Sequence, residues 1–260
     1  MPVTLTILLA ILQGLTEFLP ISSSAHLVFA EHIFNLAANI RLSYNAFLHL
    51  GTFLALLIFF GKRIVQIIKS FLSQDRTQTQ TNLKLILYII VGSIPIAIIG
   101  GLFKDKIEPT FVQPIYPAIF LILTGLLLFA TRFIKTQDTK IGYKAALIIG
   151  IAQAIALLPG ISRSGATIST ALLLGINSSE SFEFSFLLSI PAVIGANILT
   201  FSQLISSDIN SSAIILGILF TAITGILALA ILKYFVLRKR LYYFGFYCLG
   251  LGILALILLL

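Results

Sequence analysis

Long apolar stretches separated by short charged segments make up most of the 260-residue chain. Six of these stretches run without a polar cluster for about as long as the ~20 residues that a helix needs to cross a bilayer. This pattern predicts six membrane-spanning helices. Their approximate bounds are 44–60, 83–103, 115–134, 182–202, 213–232 and 242–260.

Two further apolar stretches, about 3–33 and 144–177, are interrupted midway by proline and by clusters of serine and glycine. Irregular backbone at membrane depth is stable only where it is buried in protein or lines a wet cavity. We predict that each stretch is a re-entrant hairpin, in which two short helices enter and leave the membrane on one side. The predicted fold is an all-α polytopic membrane protein with six full transmembrane helices and two re-entrant helix hairpins.

Composition places the whole chain, residues 1–260, in one integral membrane domain. Hydrophobic residues make up 58% of the sequence and charged residues 10%, and the mean hydropathy is +1.08. Soluble domains carry about 25% charged residues, so a soluble protein is excluded. The net charge of +8 comes mostly from the segments between the apolar stretches. It therefore predicts membrane topology, and nucleic acid is not an expected partner.

The distribution of basic residues predicts an orientation. If both broken stretches re-enter without crossing, three charged segments share one face, and they hold 12 of the 17 lysines and arginines. The positive-inside rule makes this face cytoplasmic, so both termini and the mouth of the first hairpin are expected on the outer face. The basic segments are 61–82, 132–144 and 233–241, and the opposite segments, 104–114 and 203–212, hold only Lys104 and Lys106.

The two halves of the chain share a pattern. Residues 13–25 resemble residues 153–166 when short gaps are allowed. Each half, 1–135 and 140–260, consists of one broken hairpin followed by three spans. Because three is an odd number, the second half is inverted in the membrane, which is the architecture of an inverted-topology repeat. The hairpins then enter from opposite sides, so their tips can meet.

An ionisable residue stands inside the first broken stretch. A carboxylate at bilayer depth costs at least ~2.5–3.5 kcal/mol, so Glu17 indicates a functional site. Gln13 lies four residues earlier on the same helix face. Serines and His26 follow, and a hydroxyl, an imidazole and a carboxylate so close together resemble an activated nucleophile. The alternative is that the serines cap a helix and His26 bonds a backbone carbonyl. The serines are Ser22, Ser23 and Ser24.

The second broken stretch carries a basic residue, Arg163. Arg163 is a permanent cation with a planar donor fork that suits phosphate oxygens. Gly160 lets the backbone approach a ligand closely, and the N-terminus of the next helix adds N–H donors and a positive dipole end. We expect an anion site here; the alternative is an ion pair between Arg163 and Glu17 that only holds the hairpins together. The hydroxyls available to this site are those of Ser162, Ser164 and Thr167.

Other polar residues in or beside the spans are assigned structural roles. A structural hydrogen bond is expected for His49, and solvated helix ends are expected for Glu180 and Glu183. Cys248, the single cysteine, is expected to be a small core or lipid-facing residue. The sequence contains no Walker-type loop, dinucleotide glycine signature or His-Glu-x-x-His element, so those chemistries are not indicated.

Two motifs carry a resemblance to a known family. Residues 13–26 read Gln-Gly-Leu-Thr-Glu-Phe-Leu-Pro-Ile-Ser-Ser-Ser-Ala-His, and residues 158–167 read Leu-Pro-Gly-Ile-Ser-Arg-Ser-Gly-Ala-Thr. With residues 48–52 and 183–192, they resemble the bacterial undecaprenyl-diphosphate phosphatases, also called bacitracin-resistance proteins. The resemblance covers nearly the whole chain. It implies hydrolysis of undecaprenyl diphosphate to undecaprenyl phosphate and inorganic phosphate in a bacterial cytoplasmic membrane, which recycles the lipid carrier of cell-wall synthesis.

The resemblance also implies roles for single residues. Ser23 and His26 match the family's catalytic hydroxyl and imidazole, and Arg163 matches its essential arginine. The family pattern is Glu or Gln, then three residues, then Glu. Here Gln13 fills its first position and Glu17 its last. A divalent cation, Mg²⁺ or Ca²⁺, is expected at Glu17 with Gln13 nearby. The residues expected to bind substrate phosphate are Ser22, Ser24, Gly160, Ser162, Arg163, Ser164 and Thr167.

Some alternatives stay open at the level of sequence. Either Ser23 or His26 could be the nucleophile, because spacing does not show which atom faces phosphorus. A prenyl-phosphate transporter or flippase would need the same anion site, so lipid transport is the alternative function. The oligomeric state is also open, and a homodimer is one expectation.

Overall fold

The computed structural model describes residues 3–34, 38–103, 113–134, 139–205 and 211–259, and these ranges contain helices, turns and no β-strand. An all-helical fold is therefore confirmed for the described residues. The helices are α1 Val3–Phe18, α2 Ser23–Ile33, α3 Ala38–Ser70, α4 Arg76–Leu102, α5 Ile115–Ala130, α6 Tyr143–Ile155, α7 Arg163–Leu173, α8 Ser178–Ile205, α9 Ser211–Leu237 and α10 Tyr242–Leu259.

Six helices within the described residues are long and apolar enough to cross a membrane, which confirms the predicted number. They extend further into the charged segments than predicted: α3 continues to Ser70 and α4 begins at Arg76, so the predicted segment 61–82 is mostly helical. Basic side chains lay their apolar stems along a helix while their charges reach water, so they do not end it. Of the predicted outer segments, residues 104–112 and 206–210 lie outside the described residues.

Two short helix pairs occupy the places of the two broken stretches. α1 and α2 are separated by residues 19–22, and α6 and α7 by residues 156–162. α2 and α7 have 11 residues each. At ~1.5 Å per residue each is about 16 Å long, roughly half of the ~30 Å hydrocarbon core. Neither helix is long enough to cross a bilayer by itself.

The first helix of each short pair packs against a span from the other half of the chain. α1 lies against α9, and α6 lies against α4. A Cβ at Gly14 in α1 would meet Thr221 and Thr224 of α9. A Cβ at Gly150 in α6 would fall on the backbone of Gly92 in α4. Small residues allow membrane helices to approach this closely, and the contacts determine where the two breaks lie.

On the predicted cytoplasmic side, Arg63 of α3 forms an ion pair with α8 and a hydrogen bond with α4. Arg63 Nε donates a 2.6 Å hydrogen bond to Glu183 Oε1, and Arg63 Nη1 donates to Asn82 Oδ1 at 3.2 Å. Glu180, also in α8, accepts a hydrogen bond from the Ile141 N–H at 3.2 Å. Both glutamates are partly exposed, as expected for solvated positions near a helix end. Each carboxylate also has a partner within the protein.

Replacing Gly150 with alanine is expected to destabilise the fold, because the new methyl group would force α6 away from the Gly92 backbone. Overpacking of this kind costs about 1–3 kcal/mol. The measurement is the thermal unfolding midpoint of the purified protein in detergent. Gly61→Ala is the matched control: Gly61 lies within α3, where a Cβ meets nothing within 4 Å, so stability is expected to stay equal or rise. A Gly150→Ala protein as stable as wild type would contradict the close approach of α6 and α4.

Candidate active site

The turn after α1 and the turn before α7 meet inside the protein. Glu17, at the end of α1, has its Oε1 3.9 Å from Nη2 of Arg163, the first residue of α7. The Gly160 N–H donates a 3.2 Å hydrogen bond to Ser24 Oγ at the start of α2. Glu17 and Arg163, the two charged residues that the sequence singled out, are therefore neighbours, although they lie in different halves of the chain.

The Glu17 carboxylate is held by a set of donors. Ser23 Oγ donates a short hydrogen bond of 2.6 Å to Glu17 Oε2, and Gln13 Nε2 donates to the same oxygen at 3.1 Å. The Glu17 side chain is 9% exposed. The serine proton therefore points at a buried carboxylate whose other oxygen faces a guanidinium, so Glu17 is placed to accept that proton if Ser23 acts as a nucleophile.

The turn before α7 is shaped by its own hydroxyl groups and by one residue of α5. Ser162 caps α7, since its Oγ accepts a 3.1 Å hydrogen bond from the Gly165 N–H. Thr124 Oγ1 in α5 donates to the Gly160 carbonyl at 2.9 Å and accepts from the Ser162 N–H at 3.1 Å. Gly160 has φ +105°, a conformation that a side chain would strain. These bonds leave Arg163 at the positive end of α7, facing the carboxylate.

A small cavity of about 20 Å³ lies between Glu17 and Arg163 on one side and helices α3 and α8 on the other. A water molecule needs at least ~10–15 Å³, so the cavity has room for a water. The cavity is not fully enclosed. The polar wall is formed by Glu17, Arg163, Ser164, Thr167, Thr52, Ser185 and Ser189, and the apolar wall by Phe18, Leu56, Phe186 and Val193.

Three polar residues of this wall were not recognised in the sequence, namely Thr52, Ser185 and Ser189. Ser185 Oγ is buried and has no hydrogen-bond partner among the described residues, so it is available to a ligand. A signal was present, because Ser185 and Ser189 are four residues apart and share one face of an apolar span.

His26 is not among the residues that line the cavity. Its Nδ1 is 2.8 Å from the Ser22 carbonyl oxygen, and its Nε2 is 2.7 Å from the Tyr247 hydroxyl of α10. Within the described chain no hydrogen bond or ion pair joins it to Glu17 or Arg163. Of the two residues proposed as nucleophile, Ser23 is therefore the one whose hydroxyl is hydrogen-bonded to Glu17, beside Arg163.

His49 makes the structural hydrogen bond that was expected. Its Nδ1 is 3.3 Å from Gln13 Nε2, the atom that also donates to Glu17. His49 therefore helps to orient Gln13 and, through it, the carboxylate. Like Tyr247 and Thr124, it reaches the site from a distant part of the sequence, and no local spacing could have indicated that.

A divalent cation fits this donor set only in part. The described residues contain no group of three His, Cys, Asp or Glu side chains that could hold a metal by themselves. Gln13 Oε1, however, is buried beside Glu17 without a hydrogen-bond partner. One carboxylate with one such oxygen suits Mg²⁺, which usually keeps waters and takes further ligands from substrate phosphates.

Comparison with known proteins finds relatives over nearly the whole chain. The family model described as bacitracin resistance protein BacA matches residues 6–254. A protein of Methanococcus vannielii named undecaprenyl-diphosphatase is 42% identical over 93% of this chain and 94% of its own length. Proteins with the same name from Methanobrevibacter smithii and Thermosipho africanus are 36% and 41% identical over 98% and 96% of this chain, and over 97% of their own lengths in both cases.

Proposed function

The chain belongs to the bacitracin resistance protein BacA family, and on that premise we propose that it hydrolyses undecaprenyl diphosphate to undecaprenyl phosphate and inorganic phosphate. The observation that carries the proposal is the 2.6 Å hydrogen bond from Ser23 to Glu17, beside Arg163. Phosphoryl transfer to a protein hydroxyl requires the hydroxyl itself, a general base that accepts its proton, and a cation in a fixed position. Relatives with this activity in their names support the choice of substrate.

Ser23 attacks the terminal phosphorus while Glu17 takes the hydroxyl proton. The bond to the bridging oxygen breaks, undecaprenyl phosphate leaves, and the terminal phosphate stays on Ser23 as a phosphoserine. Glu17 passes the proton to the departing undecaprenyl phosphate and is a carboxylate again. Water then attacks the phosphoserine and gives a proton to Glu17, which returns it to Ser23 Oγ as inorganic phosphate leaves. We favour Ser23 over His26 as the nucleophile because Ser23 is hydrogen-bonded directly to Glu17, the general base. Both nitrogens of His26 are hydrogen-bonded to other groups, the Ser22 carbonyl and the Tyr247 hydroxyl.

Arg163 and the N-terminus of α7 bind the phosphate oxygens. The guanidinium supplies up to five N–H donors in a fixed plane, and its positive charge balances the charge that spreads over the transferred group. The cavity hydroxyls of Ser164 and Ser185 supply further donors. Thr167 Oγ1 donates a 2.9 Å hydrogen bond to the Arg163 carbonyl and so helps to hold that residue in place. Ser22, Ser24, Gly160 and Ser162 shape the two turns that hold Glu17 and Arg163 in place. That these four residues and Thr167 also bind phosphate stays a prediction.

We also propose the finer arrangement in the membrane. The shortness of α2 and α7 supports two re-entrant hairpins. The reciprocal packing of α1 on α9 and of α6 on α4 supports an inverted repeat, because a two-fold relation between the halves exchanges these pairs. The basic segments support a cytoplasmic membrane with both termini and the first hairpin's mouth on the outer face. A homodimer stays a prediction.

We propose that Glu17 and Gln13 would hold a divalent cation, which would neutralise the charge of the diphosphate. Removing divalent cations is therefore expected to abolish phosphate release. The measurement is phosphate release before and after EDTA treatment, and again after Mg²⁺ or Ca²⁺ is restored. EDTA with an equal amount of added Mg²⁺ is the control. Unchanged release in EDTA would remove the cation from the proposal.

The function itself is tested by phosphate release from a prenyl diphosphate with the purified protein in detergent. Release that saturates with substrate supports the phosphatase. If a folded protein releases no phosphate, the proposal fails. Movement of labelled prenyl phosphate between the leaflets of vesicles without hydrolysis would then support the alternative, lipid transport.

A further inference from the structure

Tyr247 is a residue of α10 that no part of the proposed reaction yet uses. Its hydroxyl is 2.7 Å from His26 Nε2. The two rings lie nearly in parallel planes, 4° apart, with centroids separated by 5.7 Å. The next residue, Cys248, donates a 3.5 Å hydrogen bond from Sγ to the Pro20 carbonyl. Two consecutive residues of α10 therefore hold the turn and the helix that carry Ser23.

The partners of His26 determine its tautomer. Nδ1 lies 2.8 Å from the Ser22 carbonyl oxygen, which can only accept a hydrogen bond, so Nδ1 carries the proton. In the neutral ring Nε2 is then an acceptor, and the Tyr247 hydroxyl must be the donor. The hydrogen-bonding capacity of the two partners thus decides which nitrogen carries the proton, and only one orientation of the ring satisfies both bonds.

The Tyr247 hydroxyl has no packing function that phenylalanine would not serve. The ring is 47% exposed along an apolar helix, while His26 is only 9% exposed. A phenol at membrane depth needs a hydrogen-bond partner, since an unpaired polar group there costs several kcal/mol. The hydroxyl's one contact in the described structure is with His26. The hydrogen bond to His26 is therefore what a change to phenylalanine would remove.

We propose that Tyr247 is a positioning residue for the hydrolysis, acting through His26, an inference that rests on the proposed function. His26 follows Ser23 by three residues in α2, so the two side chains lie on one face of that helix. The Tyr247 hydroxyl holds the imidazole with Nδ1 protonated and Nε2 as the acceptor. Without it the ring can turn or exchange tautomers beside the nucleophile, which slows turnover without weakening the binding of substrate to Arg163.

The experiment compares Tyr247→Phe with Tyr116→Phe. Tyr116 lies at the start of α5 and is 40% exposed, and its side-chain hydroxyl has no hydrogen-bond partner among the described residues, so it is the matched control. For Tyr247→Phe, kcat is expected to fall by about tenfold, the lower end of what loss of a group that orients an imidazole costs, while KM stays within about twofold. A wild-type kcat in Tyr247→Phe, or an equal loss in Tyr116→Phe, would overturn the proposal.

A double-mutant cycle separates positioning from simple stability. If Tyr247 acts only through His26, adding Tyr247→Phe to His26→Ala is expected to cause no further loss of kcat. An equal loss in both backgrounds would mean that the hydroxyl acts on the fold in general, and would overturn the proposal.

Chemical modification tests the same contact, and its first comparison needs only the wild-type protein. Diethylpyrocarbonate, which reacts with a free imidazole nitrogen, is expected to modify His32, which is exposed, and to spare His26. In Tyr247→Phe it is expected to modify His26 as well. Ready modification of His26 in the wild type would overturn the proposal. A wild type that spares His26 but releases no phosphate would instead overturn the function and leave the contact standing.

Discussion

Replacing Ser23 with alanine is expected to lower phosphate release by about 10⁴-fold or more, because the reaction loses its nucleophile while the fold loses one hydroxyl. Ser23 Oγ lies 2.6 Å from Glu17 Oε2, and no other hydroxyl in the described structure bonds that carboxylate. The measurement is kcat with a prenyl diphosphate, together with the thermal unfolding midpoint. In the wild type, a phosphoserine trapped by acid quenching and located by mass spectrometry should map to Ser23.

Two further variants define this result. Ser179→Ala, at an exposed serine at the start of α8, is the control and should keep wild-type activity. Glu17→Gln keeps the shape of the side chain but cannot take the proton, so it should also lose most activity. The double variant Ser23→Ala with Glu17→Gln should be little worse than either single one, because groups that act as a unit are not additive. A Ser23→Ala protein with more than about 1% of wild-type kcat would contradict these roles, and His26 would become the nucleophile to test.

Replacing Arg163 with lysine is expected to lower kcat/KM by about 10²–10³-fold, although the positive charge is kept. The guanidinium fork can bond two phosphate oxygens at once, whereas an ammonium acts as a single point charge on a longer, flexible stem. Arg163 is well placed to change partner: it is 3.9 Å from Glu17 Oε1 and its side chain is 30% exposed to the cavity side. Steady-state phosphate release measures the effect.

The same variant distinguishes a phosphate clamp from a structural ion pair. If Arg163 only holds the two turns together through Glu17, lysine should lower the unfolding midpoint and leave kcat/KM of the folded protein near wild type. If it binds phosphate, kcat/KM should fall while the midpoint changes little. Arg238→Lys is the control, because Arg238 lies 4.4 Å from the centre of the Tyr234 ring, in another part of the structure.

The sequence alone was sufficient for the number of spans and for the two breaks, and it singled out Glu17 and Arg163, which the fold brings together. Each of these rests on a local property. A helix that crosses a bilayer must be apolar over about 20 residues, and a charge within such a run costs several kcal/mol unless it has a use. The ends of α3 and α4 were misjudged because basic side chains reach water from within a helix, so charge does not mark where the helix stops.

The contacts of the site were decided by the tertiary structure alone. Tyr247 bonds His26 across 221 positions, and Thr124 bonds the Gly160 carbonyl across 36. In a membrane protein the lipid-facing and core-facing sides of a helix are both apolar, so periodicity does not indicate which side packs inward. Small residues such as Gly14 and Gly150 determine that packing. Local chemistry thus selects which residues can act, and the close approach of distant helices decides which partner each of them has.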